Sequence, residues 1–262
     1  MKKSIILRGS ISYDRHPHSF LENIIKSIRT WFDGELIIST WKGQEDKISS
    51  SIEVDKIIFT EDPGSGPIQH WKRQVVSALE GFEHSTGDLV MISRPDIVFK
   101  KDVFQYMDLY PKSNDTFKIF DHKLVVPNMM TLRPDGDQKP KYFRVTDWAH
   151  IGYRDDIFKY INVLNQIEKF DYSKHDTESV GICTEVSWFL SALKNNLGDI
   201  VNIHNCDNIR EYAWDAIINN FIVLDTRTTM GAYNMNWDFQ PEYLPCYFNE
   251  ELYKKVYDEM FK

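Results

Sequence analysis

Cysteine is scarce. Cys183, Cys206 and Cys246 are the only three in 262 residues, and none sits at CxxC or Cys/His finger spacing. So sparse and odd a set excludes a disulfide scaffold and a structural zinc module, and fits reduced thiols. Long apolar runs are missing as well, so no segment has the length to span a bilayer. The start, Met1-Lys2-Lys3-Ser4, lacks the apolar core and small-residue cleavage site of a secretory signal. A cytosolic protein is expected, peripheral to a membrane at most. Positive charge is in deficit, with 31 Lys and Arg against 39 Asp and Glu and a formal charge of −8. That excludes nucleic acid as a general partner but leaves room for one nucleotide phosphate in a local basic pocket. There is no P-loop, complete GxGxxG, nucleophile elbow or HExxH. His16-Pro17-His18 and His204-Asn205-Cys206 have no partners at metal-ligand spacing.

What remains is a globular composition: 42% hydrophobic, 14% aromatic and 27% charged residues. The first half alternates. Apolar runs at Ser4 to Leu7, Glu35 to Thr40, Asp55 to Thr60 and Leu89 to Ile92 read as buried strands. Between them, Phe20, Ile24, Ile28 and Trp31 recur at helical spacing, as do Trp71, Val75, Leu79 and Phe82. This order predicts parallel crossovers and a single αβα sandwich with a mostly parallel central sheet. In the second half, Lys123 to Pro127 and Tyr142 to Val145 read as strands around a turn at Arg133 to Pro140. Helices are expected near Asp156 to Glu168 and Thr184 to Lys194. With no repeat or linker, one domain is expected: a nucleotide-binding half over about 1–100, an acceptor half over about 101–248, and a C-terminal helix over 249–262. In that helix Leu252, Tyr253, Val256, Tyr257, Met260 and Phe261 form a stripe flanked by lysines. It suits docking on the domain, or less well a membrane surface.

Open parallel sheets collect ligands beyond the carboxyl ends of their strands. Four polar clusters fall there: Arg8-Gly9-Ser10, Ser39-Thr40-Trp41, Asp62-Pro63-Gly64 and Arg94-Pro95-Asp96. Gly9 lets backbone approach a phosphate or ribose, and Arg8 suits a two-pronged phosphate contact. Ordinary turns would look similar. Asp96 is placed to hold a divalent cation, manganese or magnesium, against a diphosphate; alternatively Arg94 supplies the positive charge directly, or Arg94 and Asp96 merely pair with neighbours. Arg73-Gln74 opens a helix whose positive pole is an anion seat, although an outer-face position is equally allowed. The loop Thr146 to Gly152 holds an acid, an imidazole and an indole. Trp148 there suits stacking on a sugar ring, with Asp147 accepting from hydroxyls, and both Trp148 and His150 equally suit the core. Glu185, in the first turn of a helix, is a candidate general base or a helix-dipole partner.

With these residues, and Ser27-Ile28-Arg29, in order along about 4–190, the chain resembles the WavE lipopolysaccharide-synthesis family of bacterial glycosyltransferases. It departs at His70, where the family has Asn, and at Ile92, where it has Lys. The resemblance implies a GT-A-like fold with its donor site at the first strand end and an Asp-x-Asp equivalent after the fourth. Here that equivalent is Arg94-x-Asp96, without the first acid. The implied activity is transfer of a sugar from a nucleotide-sugar donor to a growing glycan or lipid-linked glycan, in lipopolysaccharide or capsule. Arg8, Gly9, Ser10, Thr40, Asp62, Arg73, Arg94, Asp96 and Trp148 are then expected to bind the donor. Asp147, Glu185 and His150 are expected to do the chemistry. Nucleotidyl or phosphoryl transfer, or non-catalytic glycan binding, are the rival readings.

Overall fold

Neighbouring residues of each strand enter two different cores. Ile6, Ile37, Val90 and Ile92 bury into one, while Ile5, Leu7, Leu36, Ile38 and Met91 bury into the other. Period-two burial on both faces is what a covered central sheet demands. The computed structural model describes residues 1–11, 20–64, 67–129, 131, 133–134, 142–169, 184–198, 208–234 and 248–262. Elements run in the order β1 (Lys3–Arg8), α1 (Phe20–Arg29), β2 (Glu35–Trp41), β3 (Lys56–Thr60), α2 (Pro67–Glu83), β4 (Leu89–Ser93) and β5 (Ile97–Phe99). There follow β6 (Leu124–Pro127), β7 (Ala149–Tyr153), α3 (Arg154–Ile161), α4 (Leu164–Lys169), α5 (Thr184–Leu197), α6 (Ile209–Asn220), β8 (Phe221–Leu224), β9 (Ala232–Asn234) and α7 (Glu250–Met260).

The main sheet has seven strands in the order β3-β2-β1-β4-β7-β6-β8. Only β7 runs against the rest. One face is covered by α2, α3, α5, α6 and α7, and the other by α1 and the small antiparallel β5–β9 pair. The expected αβα sandwich is therefore the observed fold. Gly81 lets α2 lie close: a Cβ there would stand 2.4 Å from Ile6 Cγ2. The chain leaves β1 to build β2 and β3 on one side and returns for β4 on the other. The gap between the carboxyl ends of β1 and β4 is thus a topological switch point.

Three expectations are corrected. Tyr142 to Val145 is not a strand. Phe143 and Val145 are buried alternately as a strand would bury them, but no ladder forms. Instead Arg144 N–H donates to the Tyr142 carbonyl (2.9 Å) and Thr146 N–H to Thr131 Oγ1 (3.1 Å). Side-chain and local acceptors have displaced sheet pairing. Conversely, the segment expected as a loop from Thr146 to Gly152 becomes, from Ala149, the antiparallel strand β7 in mid-sheet. The expected helix near Asp156 to Glu168 is broken into α3 and α4 at Asn162-Val163. The C-terminal stripe does dock, with Tyr253 and Tyr257 buried in the core. Among the described residues no helix is long and apolar enough to cross a membrane. Cys183, Cys206, Cys246, both histidine motifs and most of the Arg133 to Pro140 turn lie outside the described residues.

Candidate functional site

Parity along β1 decides where its last side chain goes. Ile6 faces the α2–α5 core, so Arg8 faces the same way, paired in register with Ser39 of β2. Arg8 is only 2% exposed, an arginine driven into the interior at the switch point. Its Nη2 donates to the Asp147 carbonyl (2.7 Å), and its guanidinium lies over the Trp188 indole, 5.1 Å from the ring centroid.

Around Arg8 the structure gathers charges from distant segments. Arg94, just past β4, grips Asp96 through both nitrogens of its fork, Nε to Oδ1 at 3.0 Å and Nη2 to Oδ2 at 2.7 Å. Its Nη1 reaches Asp147 Oδ2 at 3.4 Å. Arg144 pairs with Glu185 at the entrance to α5 (3.0 Å). Burial alone would raise the Asp147 carboxyl, but Arg94, then Arg8, outweigh it and hold the acid below the usual carboxylate range. Asp147 therefore stays ionised. Arg8, Arg94, Asp96, Asp147 and Glu185, scattered through the sequence, share one end of the sheet.

His150 and Trp148 take the core position, the alternative to the site roles also expected of them. Trp148 is 2% exposed within the core on the α1 side, so its ring is not presented to a sugar. His150 is fully buried in β7, 4.5 Å from the Tyr160 ring and 5.6 Å from Trp188. Among the described residues its ring has no well-formed hydrogen bond, the Thr146 backbone being the polar group beside it. Burial first, and then the charge of Arg8, push its pKa down to about 3 against the opposing pull of Asp147. It is a neutral imidazole across the physiological range. Tyr160 stacks on Trp188 (5.5 Å, 8° between planes), and burial pushes its phenol up. This aromatic wall lowers the local dielectric and strengthens every interaction of the charges beside it.

The β1–β2 side is polar and uncharged. Gly9 has φ +104, a backbone conformation side chains rarely adopt, and its N–H donates to the Ser39 carbonyl (2.9 Å). Gln44 ties the two strand ends: it donates to Ser10 Oγ (2.8 Å) and accepts from Thr40 Oγ1 (2.6 Å) and Ile11 N–H (3.1 Å). Past β3, Asp62 accepts from Gly64 N–H (3.0 Å) and forms a forked pair with Arg73 of α2. That pair is half-buried, and neither residue hydrogen-bonds to the Arg8 cluster among the described residues.

Asp96, expected as a cation ligand, is buried beneath Arg94. It is 1% exposed and both its oxygens are taken by Arg94, whose side chain is 28% exposed. No group of three His, Cys, Asp or Glu able to hold a metal occurs among the described residues. Sequence reasoning missed Gln44, Arg144, Tyr160 and Trp188. Arg144 lies three residues before Asp147 and Gln44 four after Thr40, two local hints. Tyr160 and Trp188 act from α3 and α5, where only the fold reveals them.

The sequence model of the family described as WavE lipopolysaccharide synthesis matches residues 4–235, well past the expected limit near 190. No individual curated protein matches the chain.

Proposed function

Because the chain belongs to the WavE lipopolysaccharide-synthesis family, we propose that it is a glycosyltransferase of GT-A-like fold, moving a sugar from a nucleotide-activated donor onto a growing lipopolysaccharide. Family membership itself gives the protein a part in lipopolysaccharide synthesis. The observation that carries the finer reading is the convergence of Arg8, Arg94, Asp96, Asp147 and Glu185 at the switch point of the sheet. A nucleotide sugar presents a diphosphate needing cationic donors, a ribose and base needing hydrogen bonds, and an anomeric carbon that must meet a hydroxyl.

In this reading Gly9, Ser10 and Asp62 face the nucleoside side, with Gln44 and the buried Thr40 holding the two strand ends together. Arg94 faces the diphosphate, and Arg8, buried behind it, adds positive charge from within. Asp147, kept ionised, fixes both guanidinium groups, one through its side chain and one through its carbonyl. Glu185 takes the proton from the acceptor hydroxyl as that oxygen bonds to the anomeric carbon. The bond from that carbon to the diphosphate breaks, and the nucleoside diphosphate leaves with the electron pair. His150 and Trp148 wall the site from behind rather than touching substrate.

The test is a thermal-shift screen with UDP-, GDP-, CMP- and dTDP-sugars, followed by transfer from the stabilising donor to lipopolysaccharide acceptor. A bound donor raises the melting temperature by mass action. Glu185→Gln should keep donor binding and lower transfer by roughly 100-fold or more. No stabilisation by any nucleotide sugar, or unchanged transfer in the variant, refutes the assignment.

A further inference from the structure

The Arg94–Asp96 pair is built the wrong way round for a metal site. In a cation site the carboxylate faces the ligand and offers its lone pairs to the metal. Here the carboxylate is sealed at 1% exposure, and the group above it, 28% exposed, is a guanidinium. Both Asp96 oxygens are spent on that guanidinium, at 3.0 and 2.7 Å. The position two residues before Asp96, where a second acid would complete a chelating pair, is Arg94 itself. The next acid, Asp147, reaches the same guanidinium from its other side and is held ionised by Arg94 and Arg8. A divalent ion entering here would have to break a fork-to-carboxylate pair in a buried setting and sit beside a fixed positive charge. Both steps are costly.

We infer that the cation serving the donor's diphosphate is Arg94, oriented from beneath by Asp96, and that the site takes a nucleoside diphosphate without any divalent metal. This rests on the transferase reading above. The planar guanidinium is permanently charged and suits phosphate oxygens, so it neutralises the charge that gathers on the leaving diphosphate without gaining or losing a proton. Asp96 is then a positioning residue. Its carboxylate acts on substrate only by fixing the plane of Arg94.

The experiment is calorimetric titration of the full chain with UDP, GDP, CDP and dTDP, once with manganese and once with EDTA. The nucleoside diphosphate that binds with manganese should bind within about threefold as tightly in EDTA. Arg94→Lys keeps the buried acid compensated but loses the fork, and should bind about tenfold more weakly while remaining indifferent to EDTA. Asp96→Asn, which still accepts from the fork, should behave the same way. Binding abolished by EDTA in the wild type overturns the inference and leaves the transferase reading standing. Unchanged affinity in folded Arg94→Lys also overturns it, since another group would then be the cation. Absence of binding by every nucleoside diphosphate in both buffers overturns the inference, and the transferase reading falls as well only when no nucleotide sugar, the CMP-linked ones included, stabilises the chain.

Discussion

Lys123 carries its amine where charge is costly. The residue is 5% exposed, and its Nζ makes no hydrogen bond among the described residues. Its company is the faces of Tyr257 (4.5 Å) and Phe261 (5.4 Å). Burial first, then the charge of Lys118, lower its pKa from 10.5 to about 7. Between those values the unfolded chain holds a proton that the folded chain has lost, so the Lys123 contribution to stability improves as pH rises through the window. Below about 7 both states are protonated and the penalty is constant. Lys123→Met should therefore melt above the wild type at pH 7, with the advantage shrinking toward pH 10. Melting curves across that range check it, and a gap independent of pH would contradict it. Reading single residues from sequence reaches furthest where the pattern is local. Arg8, Arg94 and Asp96 stand out because a polar residue directly after an apolar strand is conspicuous. It could not choose between site and core for Trp148 and His150, since an indole and an imidazole in a short polar segment look alike in either place.

At the scale of elements, the irregular stretch before β6 shows how structure outruns pattern. Asn219 and Asn220 close α6 and are completely buried, an expensive place for two amides. They are there to satisfy a strand-less loop. Asn220 accepts from Ile119 N–H (2.8 Å) and donates to the carbonyls of Phe117 (2.7 Å) and Ala216 (2.8 Å). Asn219 does the same for Asn114 and Thr116. Asn220→Ala would strand a buried N–H and a buried carbonyl, and should cost about 2 to 4 kcal/mol. Denaturant unfolding measures this directly, and a cost below about 0.5 kcal/mol would mean the loop re-pairs with water. The same region explains what the sequence reading missed. Phe221 to Leu224 continues directly from a helix with no turn residue between, so the strand β8 has no punctuation to announce it. The regular strands β1 to β4 were legible because period-two burial and Gly/Pro breaks coincide. β5 and β9, three residues each, are too short for any period to register.

Across the whole molecule the two ends of the sheet do different work. The amino end is a stability device centred on Glu35, which accepts from Ser4 Oγ (2.6 Å), Lys56 Nζ (2.9 Å) and Thr86 N–H (2.7 Å). Burial would raise its pKa, but Lys56, Ser4 and Thr86 together bring it from 4.5 down to about 2. The carboxyl end holds Asp147 among the arginines. From Ser4 to Arg8 along β1 is roughly 13 Å, and neither acid is among the charges that shift the other. A group whose folded pKa is depressed stabilises fully above its unfolded pKa and ceases to do so as pH falls through the folded one. Glu35→Gln should therefore melt below the wild type at pH 7, and the difference should close between pH 4.5 and about 2. Its affinity for a nucleotide sugar should be unchanged. Asp147→Asn should do the reverse at the functional end, releasing Arg94 and weakening donor binding by roughly tenfold or more. Donor titration of both variants at a temperature where each is folded decides the matter. Equal losses of affinity would mean that the sheet transmits strain between its ends instead of isolating the site from its scaffold.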